Sequence, residues 1–266
     1  MDKRPIGIFD SGVGGLTVVS EFLKILPAEE IIYFGDTARV PYGSKSKEIV
    51  TKYSTQIMNF LTEKNVKSVV IACNTVSSNS YAELAAKFEL PIIEVVSAGA
   101  NECVRTTKNN RVGVIGTERT IKSGAYEKYI NEINPDISVY SKACPLFVPL
   151  AEEGWVNNSV SAITAEIYLQ ELIDKDIDAL VLGCTHYPLL LNQINKVCGS
   201  VSVINPAQAT ALKMKSLLDE KQLCRSGNVA PAHSFFVSDN TGKFGKICNL
   251  VLPRKYDAKL VDIEEY

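Results

Sequence analysis

Two stretches decide how this chain folds: Ser68-Val-Val-Ile-Ala-Cys73-Asn74-Thr75 and Ala179-Leu-Val-Leu-Gly-Cys184-Thr185-His186. Each is a short apolar run that stops at a cysteine. Hydroxyl or amide side chains follow at once, and then a helix-like segment. A brief apolar run bounded in this way predicts a strand buried on both faces of a parallel sheet. The cysteine then sits at the carboxyl end of its strand, where open α/β sheets bind ligands. Two such cysteines in one chain predict a site with a thiol on each side.

On either side of these stretches, strands and helices alternate. Ile6-Gly-Ile-Phe9 reads as a strand, Asp10-Ser-Gly-Val-Gly-Gly15 as a tight turn, and Leu16, Val19, Leu23 and Leu26 as the stripe of a helix that stops at Pro27. Residues 31–34 form the next strand, ending at Gly35-Asp36, and Val40-Pro41-Tyr42-Gly43 is a loop. A helix carries Ile49, Tyr53, Ile57, Phe60 and Leu61 at helical spacing. After the Cys73 strand and its helix, residues 91–96 read as a strand. The pattern then restarts: Val112-Gly-Val-Ile-Gly116-Thr117 resembles the opening strand and turn. Asp10 precedes Cys73 by 63 positions (73 − 10), and Gly116 precedes Cys184 by 68 (184 − 116). Similar order and spacing predict two halves of one plan.

In the second half, residues 123–133 read as a helix, 138–140 as a short strand, 160–173 and 188–197 as helices, and 201–204 as a strand. Beyond it come a helix over 209–218, a polar loop over 222–231, a strand over 234–237, a helix over 244–250 and a last strand over 258–263. The alternation predicts a doubly wound α/β fold.

The chain has 266 residues, 46% hydrophobic and 22% charged, with a formal net charge of −2. Acids and bases are mixed along it, so no basic patch predicts nucleic-acid binding. No apolar run approaches the roughly 18 residues of a membrane span. The segment before the first strand is too brief for a signal peptide. Seven cysteines is an odd, scattered count. Together these features predict reduced thiols in a cytoplasmic protein.

Cys103, Cys198 and Cys248 suit the usual role of a free cysteine as a small buried hydrophobe. Cys73 and Cys184 do not, because both end strands and both precede helical segments. The field of a following helix is expected to lower their thiol pKa values from about 8.5. His186, one of two histidines, stands two residues after Cys184 and is a candidate proton partner for it. His233, in a polar stretch, carries no expectation. The turn Asp10-Ser-Gly-Val-Gly-Gly15 lacks the third glycine of a dinucleotide loop. Asp10, expected at the exposed mouth of that turn, would oppose a pyrophosphate and welcome an ammonium group. Asp36 at the end of the next strand is the position a ribose would need. Cys184-x-His186 supplies two soft metal ligands, but no C-x-x-C or H-x-x-x-H pair completes a zinc set. No lysine stands at a strand end to form a Schiff base.

These residues fall within longer stretches: Ile8-Phe-Asp-Ser-Gly-Val-Gly-Gly-Leu16, Tyr33-Phe-Gly-Asp36, Val40-Pro-Tyr-Gly43, Ala72-Cys-Asn-Thr75, Gly113-Val-Ile-Gly-Thr117, Cys144-Pro-Leu-Phe-Val-Pro149 with Glu152-Glu-Gly154, and Gly183-Cys-Thr-His-Tyr-Pro-Leu189. In this order the chain resembles the glutamate racemases of the aspartate/glutamate racemase superfamily. The resemblance implies two pseudo-symmetric α/β domains facing each other across a cleft: residues 1–97 with 208–266, and residues 98–207. It also implies cofactor-independent interconversion of L- and D-glutamate, supply of D-glutamate for peptidoglycan, and a homodimer. By the same resemblance Cys73 deprotonates D-glutamate with help from Asp10, and Cys184 deprotonates L-glutamate with help from His186. Ser11, Asn74, Thr75 and Thr185 become candidate donors to the substrate, and Pro41, Tyr42 and Gly43 the closure of its pocket. Glu152, Asp36 and Thr117 become supporting residues.

Three other readings remain open from residues alone. A thiol hydrolase would use Cys184 with His186 and need only one cysteine. A two-lobed binding protein would need no paired thiols. An aspartate racemase would share both cysteines and differ in pocket length.

Overall fold

The computed structural model describes residues 2–225, 230–239 and 241–266. Its elements, in chain order, are β1 (Ile6–Asp10), α1 (Leu16–Ile25), β2 (Ile31–Gly35), α2 (Lys47–Glu63), β3 (Ser68–Ile71), α3 (Asn74–Lys87), β4 (Ile92–Glu94) and α4 (Val95–Thr106). The second half runs β5 (Arg111–Gly116), α5 (Glu118–Lys122), α6 (Ala125–Ile133), β6 (Ser138–Ala143), α7 (Phe147–Glu152), α8 (Ser159–Ile173), β7 (Ala179–Gly183), α9 (Leu191–Cys198) and β8 (Ser202–Ile204). The chain closes with α10 (Pro206–Glu220), β9 (Ser234–Val237), α11 (Thr241–Val251) and β10 (Ala258–Leu260).

The strands make two sheets, ordered β10-β9-β2-β1-β3-β4 and β6-β5-β7-β8. Every strand pair in both is parallel. The runs β2-β1-β3-β4 and β6-β5-β7-β8 repeat one topology, so β1 corresponds to β5 and β3 to β7. The restart seen at Arg111 is therefore a structural repeat. β9 and β10 extend only the first sheet.

Continuous apolar strands follow from burial on both faces. In β1, Ile8 packs with α1, α10 and α11 in one core cluster, while Phe9 packs with α2 and α3 in another. In the second sheet, Leu180 and Leu182 face α8 and α9, while Ala179 and Val181 face α4 and α6.

Several boundaries differ from expectation, each for a local reason. The strand expected over 91–96 stops at Glu94, whose carboxylate accepts from the backbone N–H groups of Val96 (2.6 Å) and Ser97 (2.9 Å) and so starts α4. The helix expected over 123–133 starts at Ala125, after Gly124 with φ +66°, and a short helix that was not expected, α5, precedes it. A 3-10 turn, Tyr187–Leu190, precedes α9. The last strand stops at Leu260, and a 3-10 turn, Ile263–Glu265, follows with Asp262 as its cap. Of the expected polar loop, residues 226–229 lie outside the described residues. His233 Nδ1 accepts from the Ile31 N–H at 3.3 Å, a structural contact.

One buried ion pair is unexpected. Lys67 Nζ donates to Glu29 Oε2 at 2.6 Å, to Leu223 O at 2.7 Å and to Asp2 O at 3.2 Å, with both side chains almost without exposure. Removing one partner strands the other charge in the interior, which costs about 3–5 kcal/mol. Lys67→Met is expected to lower the unfolding free energy by that amount in urea titration, and adding Glu29→Leu should recover much of it. A loss under about 1 kcal/mol for the single variant would refute the pairing.

Candidate active site

The loops at the carboxyl ends of β1, β2, β3, β5 and β7 converge on one cleft. It holds about 330 Å³ of empty space, counting solvent open to it, and is lined by Ser11, Val40, Pro41, Tyr42, Gly43, Cys73, Asn74, Thr75, Thr117, Val148, Gly183, Cys184, Thr185 and His186. Both cysteines are therefore brought to one site from equivalent strand ends of the two sheets.

Close approaches between the halves shape this cleft. A Cβ on Gly14 would lie 2.5 Å from Thr185 Oγ1 and 2.6 Å from His186 Nδ1, so only glycine lets the turn after β1 meet the Cys184 loop. Beside it, Thr17 Oγ1 donates to Thr185 O at 3.1 Å. A Cβ on Gly43 would lie 2.7 Å from Thr117 Cβ. Thr75 and Thr117 hydroxyls bond at 3.1 Å, and Tyr126 OH donates to Asn74 Oδ1 at 2.7 Å. Thr117 and Asn74 thus touch both the cleft and its seam.

On the first side, Cys73 is the residue before α3, as expected, and its thiol donates to Ser11 Oγ at 3.5 Å. The expected lowering of its pKa does not occur. Burial, joined by the charge of Asp10, pushes the Cys73 thiol up to about 12, against the helix N–H groups and Ser11. Asp10 is not on the surface either, since it has no exposed area. Its Oδ2 accepts from Gly15 N–H at 3.0 Å and Gly12 N–H at 3.2 Å, and its Oδ1 from Thr185 Oγ1 at 3.3 Å. Burial raises the Asp10 pKa, while the His186 charge and these donors work against the rise. The carboxylate lies beneath the cleft, binding the glycine turn to the Cys184 loop.

On the second side, a 3-10 turn rather than a helix follows Cys184, so no helix N-terminus abuts that sulfur. Its partner is His186, with Sγ and Nδ1 3.9 Å apart. The His186 Nε2 lies 3.2 Å from Glu152 Oε1, an ion-pair distance at which the N–H is not aimed well enough for a hydrogen bond. Glu152 Oε2 accepts from Lys243 Nζ of α11 at 2.7 Å. Burial alone would lower the His186 pKa, but the contacts with Cys184 and Glu152 reverse this and hold it up at about 10. Burial would likewise raise Glu152, yet His186 and Lys243 outweigh it and hold the carboxyl down at about 2. The result is a cationic imidazole beside Cys184, flanked by a carboxylate and a lysine.

Asp36 is fully buried and does not line the cleft. It accepts from Tyr42 OH, from Arg39 Nε at 2.7 Å and from Ser238 Oγ at 2.8 Å. No ribose can reach it. Among the described residues no group of three His, Cys, Asp or Glu side chains could hold a metal ion, and no helix is long and apolar enough to cross a membrane.

Sequence reasoning missed Val40, Val148 and Gly183 in the lining, and Lys243 and Tyr126 behind it. The first three lie within the motifs quoted above, beside residues with more obvious chemistry. Lys243 carries no local signal, because its partner Glu152 is 91 positions away.

The chain matches the family model described as Asp/Glu/Hydantoin racemase over residues 6–214. It is 48% identical over 256 residues to a glutamate racemase of Geobacter metallireducens, covering 96% of this chain and 95% of that one. It is 46% identical to glutamate racemase 2 of Caldanaerobacter subterraneus subsp. tengcongensis, with 100% of both chains covered. Among solved structures, the glutamate racemase of Francisella tularensis in complex with D-glutamate superposes with a TM-score of 0.94, at 40% identity and 100% coverage of both chains. Matched along nearly all its length in sequence and in fold, the chain belongs to the Asp/Glu/Hydantoin racemase family.

Proposed function

We propose that this protein interconverts L- and D-glutamate without a cofactor, using Cys73 and Cys184 as the two proton-transferring groups. The observation that carries this reading is the pair of cysteines at equivalent strand ends of two sheets, both lining one cleft. Racemisation requires the α-proton to leave one face of the carbon and a proton to arrive at the other. One base would have to move between faces, whereas two fixed thiols need not.

The two sides differ in their resting chemistry. A Cys73 thiol held at about 12 keeps its proton at neutral pH and is set to donate. Across the cleft, the cationic His186 stabilises negative charge on the Cys184 sulfur. In the L-to-D direction Cys184 takes the α-proton and Cys73 delivers its own to the opposite face. Cys184 then releases its proton to solvent and Cys73 takes one from solvent, which readies both for the next L-to-D turnover, and in the D-to-L direction the two roles exchange. The carbanion formed between these steps needs donors fixed in advance, and Ser11, Asn74, Thr75 and Thr185, which line the cleft, are the candidates for that role. Asp10 fixes the turn that carries Ser11, the hydrogen-bond partner of Cys73. Glu152 and Lys243 orient and balance His186, and Pro41, Tyr42 and Gly43 close the pocket.

Residues 1–97 with 208–266, and residues 98–207, are the two bodies that enclose the substrate in this reading. D-Glutamate formed here supplies peptidoglycan, in the cytoplasm, where seven free cysteines stay reduced. The working unit is a homodimer.

The test is incubation with L-glutamate in deuterated water, without added cofactor, followed by chiral separation and mass analysis. D-Glutamate should appear with deuterium at the α-carbon, while the remaining L-glutamate keeps its protium at early times. Deuterium in both enantiomers from the start would point to one base, and no D-glutamate would end the proposal. L-Aspartate run in parallel should turn over far more slowly.

A further inference from the structure

We propose that Arg39 is a positioning residue for the substrate, acting through Asp36 and Tyr42, and that Glu264 of the last 3-10 turn braces it. The inference rests on the glutamate-racemising reading of the cleft. It starts from a polar cluster that the proton-transfer scheme leaves unused.

Tyr42 lines the cleft, and its neighbours Pro41 and Gly43 do too. The phenol is 1% exposed and donates its only proton inward, to Asp36 Oδ2. The same carboxylate oxygen accepts from Arg39 Nε. A buried carboxylate needs a paired cation, and the Arg39 guanidinium is the cation bonded to it. Arg39 in turn is held on several sides. Its Nη1 donates to Gln56 Oε1 at 2.6 Å and to Glu264 Oε1 at 3.0 Å. Its planar group lies 4.0 Å over the ring of Tyr53, and Tyr53 packs against Tyr42 with ring centroids 5.6 Å apart. Gln56 also donates to Glu264 Oε2 at 3.2 Å, and Ile263 beside it is buried. The end of the chain is thereby tied to the loop that closes the pocket.

The far end of the same loop is held from the other sheet, where Arg119 Nε donates to Lys45 O at 2.9 Å and Thr117 meets Gly43. The loop is a span fixed at two ends, and Arg39 fixes one of them. Because Tyr42 lines the cleft but gives its proton to Asp36 and to neither cysteine, its placement affects binding in the ground state and the transition state alike. Loss of such uniform binding raises KM and leaves kcat nearly unchanged.

Arg39→Leu is expected to raise KM for both glutamate enantiomers by about 10- to 100-fold, the range for a lost charge-assisted hydrogen bond, with kcat within about threefold of the parent. Stabilisation of the folded protein by saturating glutamate in thermal melts should shrink with it. Because this variant also strands Asp36 and can fail to fold, Arg39→Lys is the second arm. Lysine keeps the charge but cannot bridge Asp36, Gln56 and Glu264 together, so KM should still rise several-fold. Glu264→Gln should raise it by about two- to threefold, the scale of a partly exposed pair. A parent enzyme that does not racemise glutamate defeats both this inference and the function it rests on. An active parent whose Arg39→Lys variant folds and keeps its KM defeats this inference alone, as does a variant that loses kcat at constant KM.

Discussion

Serine in place of Cys73 or of Cys184 will cut glutamate racemisation by about 10³-fold or more, because each turnover needs a base on one face and an acid on the other. A serine hydroxyl is far less acidic than a thiol and serves poorly in both roles. Loss of activity in both variants does not by itself separate two bases from one base with a helper. Half of the reaction does. A glutamate analogue with a leaving group on its β-carbon needs only proton abstraction, since elimination follows from the carbanion. Cys184→Ser should then eliminate from the D form alone, through Cys73, and Cys73→Ser from the L form alone, through Cys184. The structure adds a second expectation. Cys73 rests as a thiol held at about 12. Elimination from the D form by Cys184→Ser should therefore speed up steadily as pH rises from 7 towards 10, as the thiolate fraction grows about tenfold per pH unit. Comparable elimination from both enantiomers by either variant would overturn the assignment of one cysteine per face.

Much of this arrangement is written in the sequence, for a physical reason. Strands buried on both faces must be apolar throughout, so β3 and β7 appear as clean runs, and the polar residues that stop them must lie at the strand ends. The repeat of Ile6-Gly-Ile-Phe9 at Val112-Gly-Val-Ile115 carries the shared topology of the two sheets. What the sequence conceals is long-range or environmental. The start of α4 depends on the Glu94 side chain folding back on its own backbone. The Asp10 position at a strand end suggested exposure, whereas the Cys184 loop from the other sheet covers it. The rule that a helix N-terminus lowers a thiol pKa was sound for an exposed thiol, but burial outweighs it at Cys73. Asp36 stands where a ribose would need it, but it is buried and anchors Tyr42. Apart from the Glu94 cap, which is local, each of these depends on what the rest of the fold places nearby, which no local pattern encodes.

Replacing His186 by asparagine will slow elimination from the L form by about 10²- to 10³-fold and leave elimination from the D form within about threefold of the parent. His186 lies 3.9 Å from Cys184, and its cationic state is held to about pH 10 by that sulfur and Glu152. Without the imidazolium, charge on the Cys184 sulfur loses its partner in a site screened from water, while Cys73 keeps Ser11 and its own surroundings. The asymmetry cannot be seen in overall racemisation. L- and D-glutamate have equal free energies in water, so the equilibrium constant is one and kcat/KM must be equal in the two directions for every variant. His186→Asn should therefore lower both kcat/KM values by the same factor, and only the half-reaction reveals which face has lost its base. Glu152→Gln should act in the same sense but more weakly, because it touches Cys184 only through His186. The sign of the pH dependence gives an independent check. A histidine raised from 6.5 to about 10 on folding contributes stability that is fully present below pH 6.5 and is lost as pH rises through about 10. The stability gap between the parent and His186→Asn should thus be widest just below pH 6.5 and narrow steadily towards pH 10. A gap that does not change with pH, or equal loss of elimination from both enantiomers, would remove His186 from the Cys184 side of the mechanism.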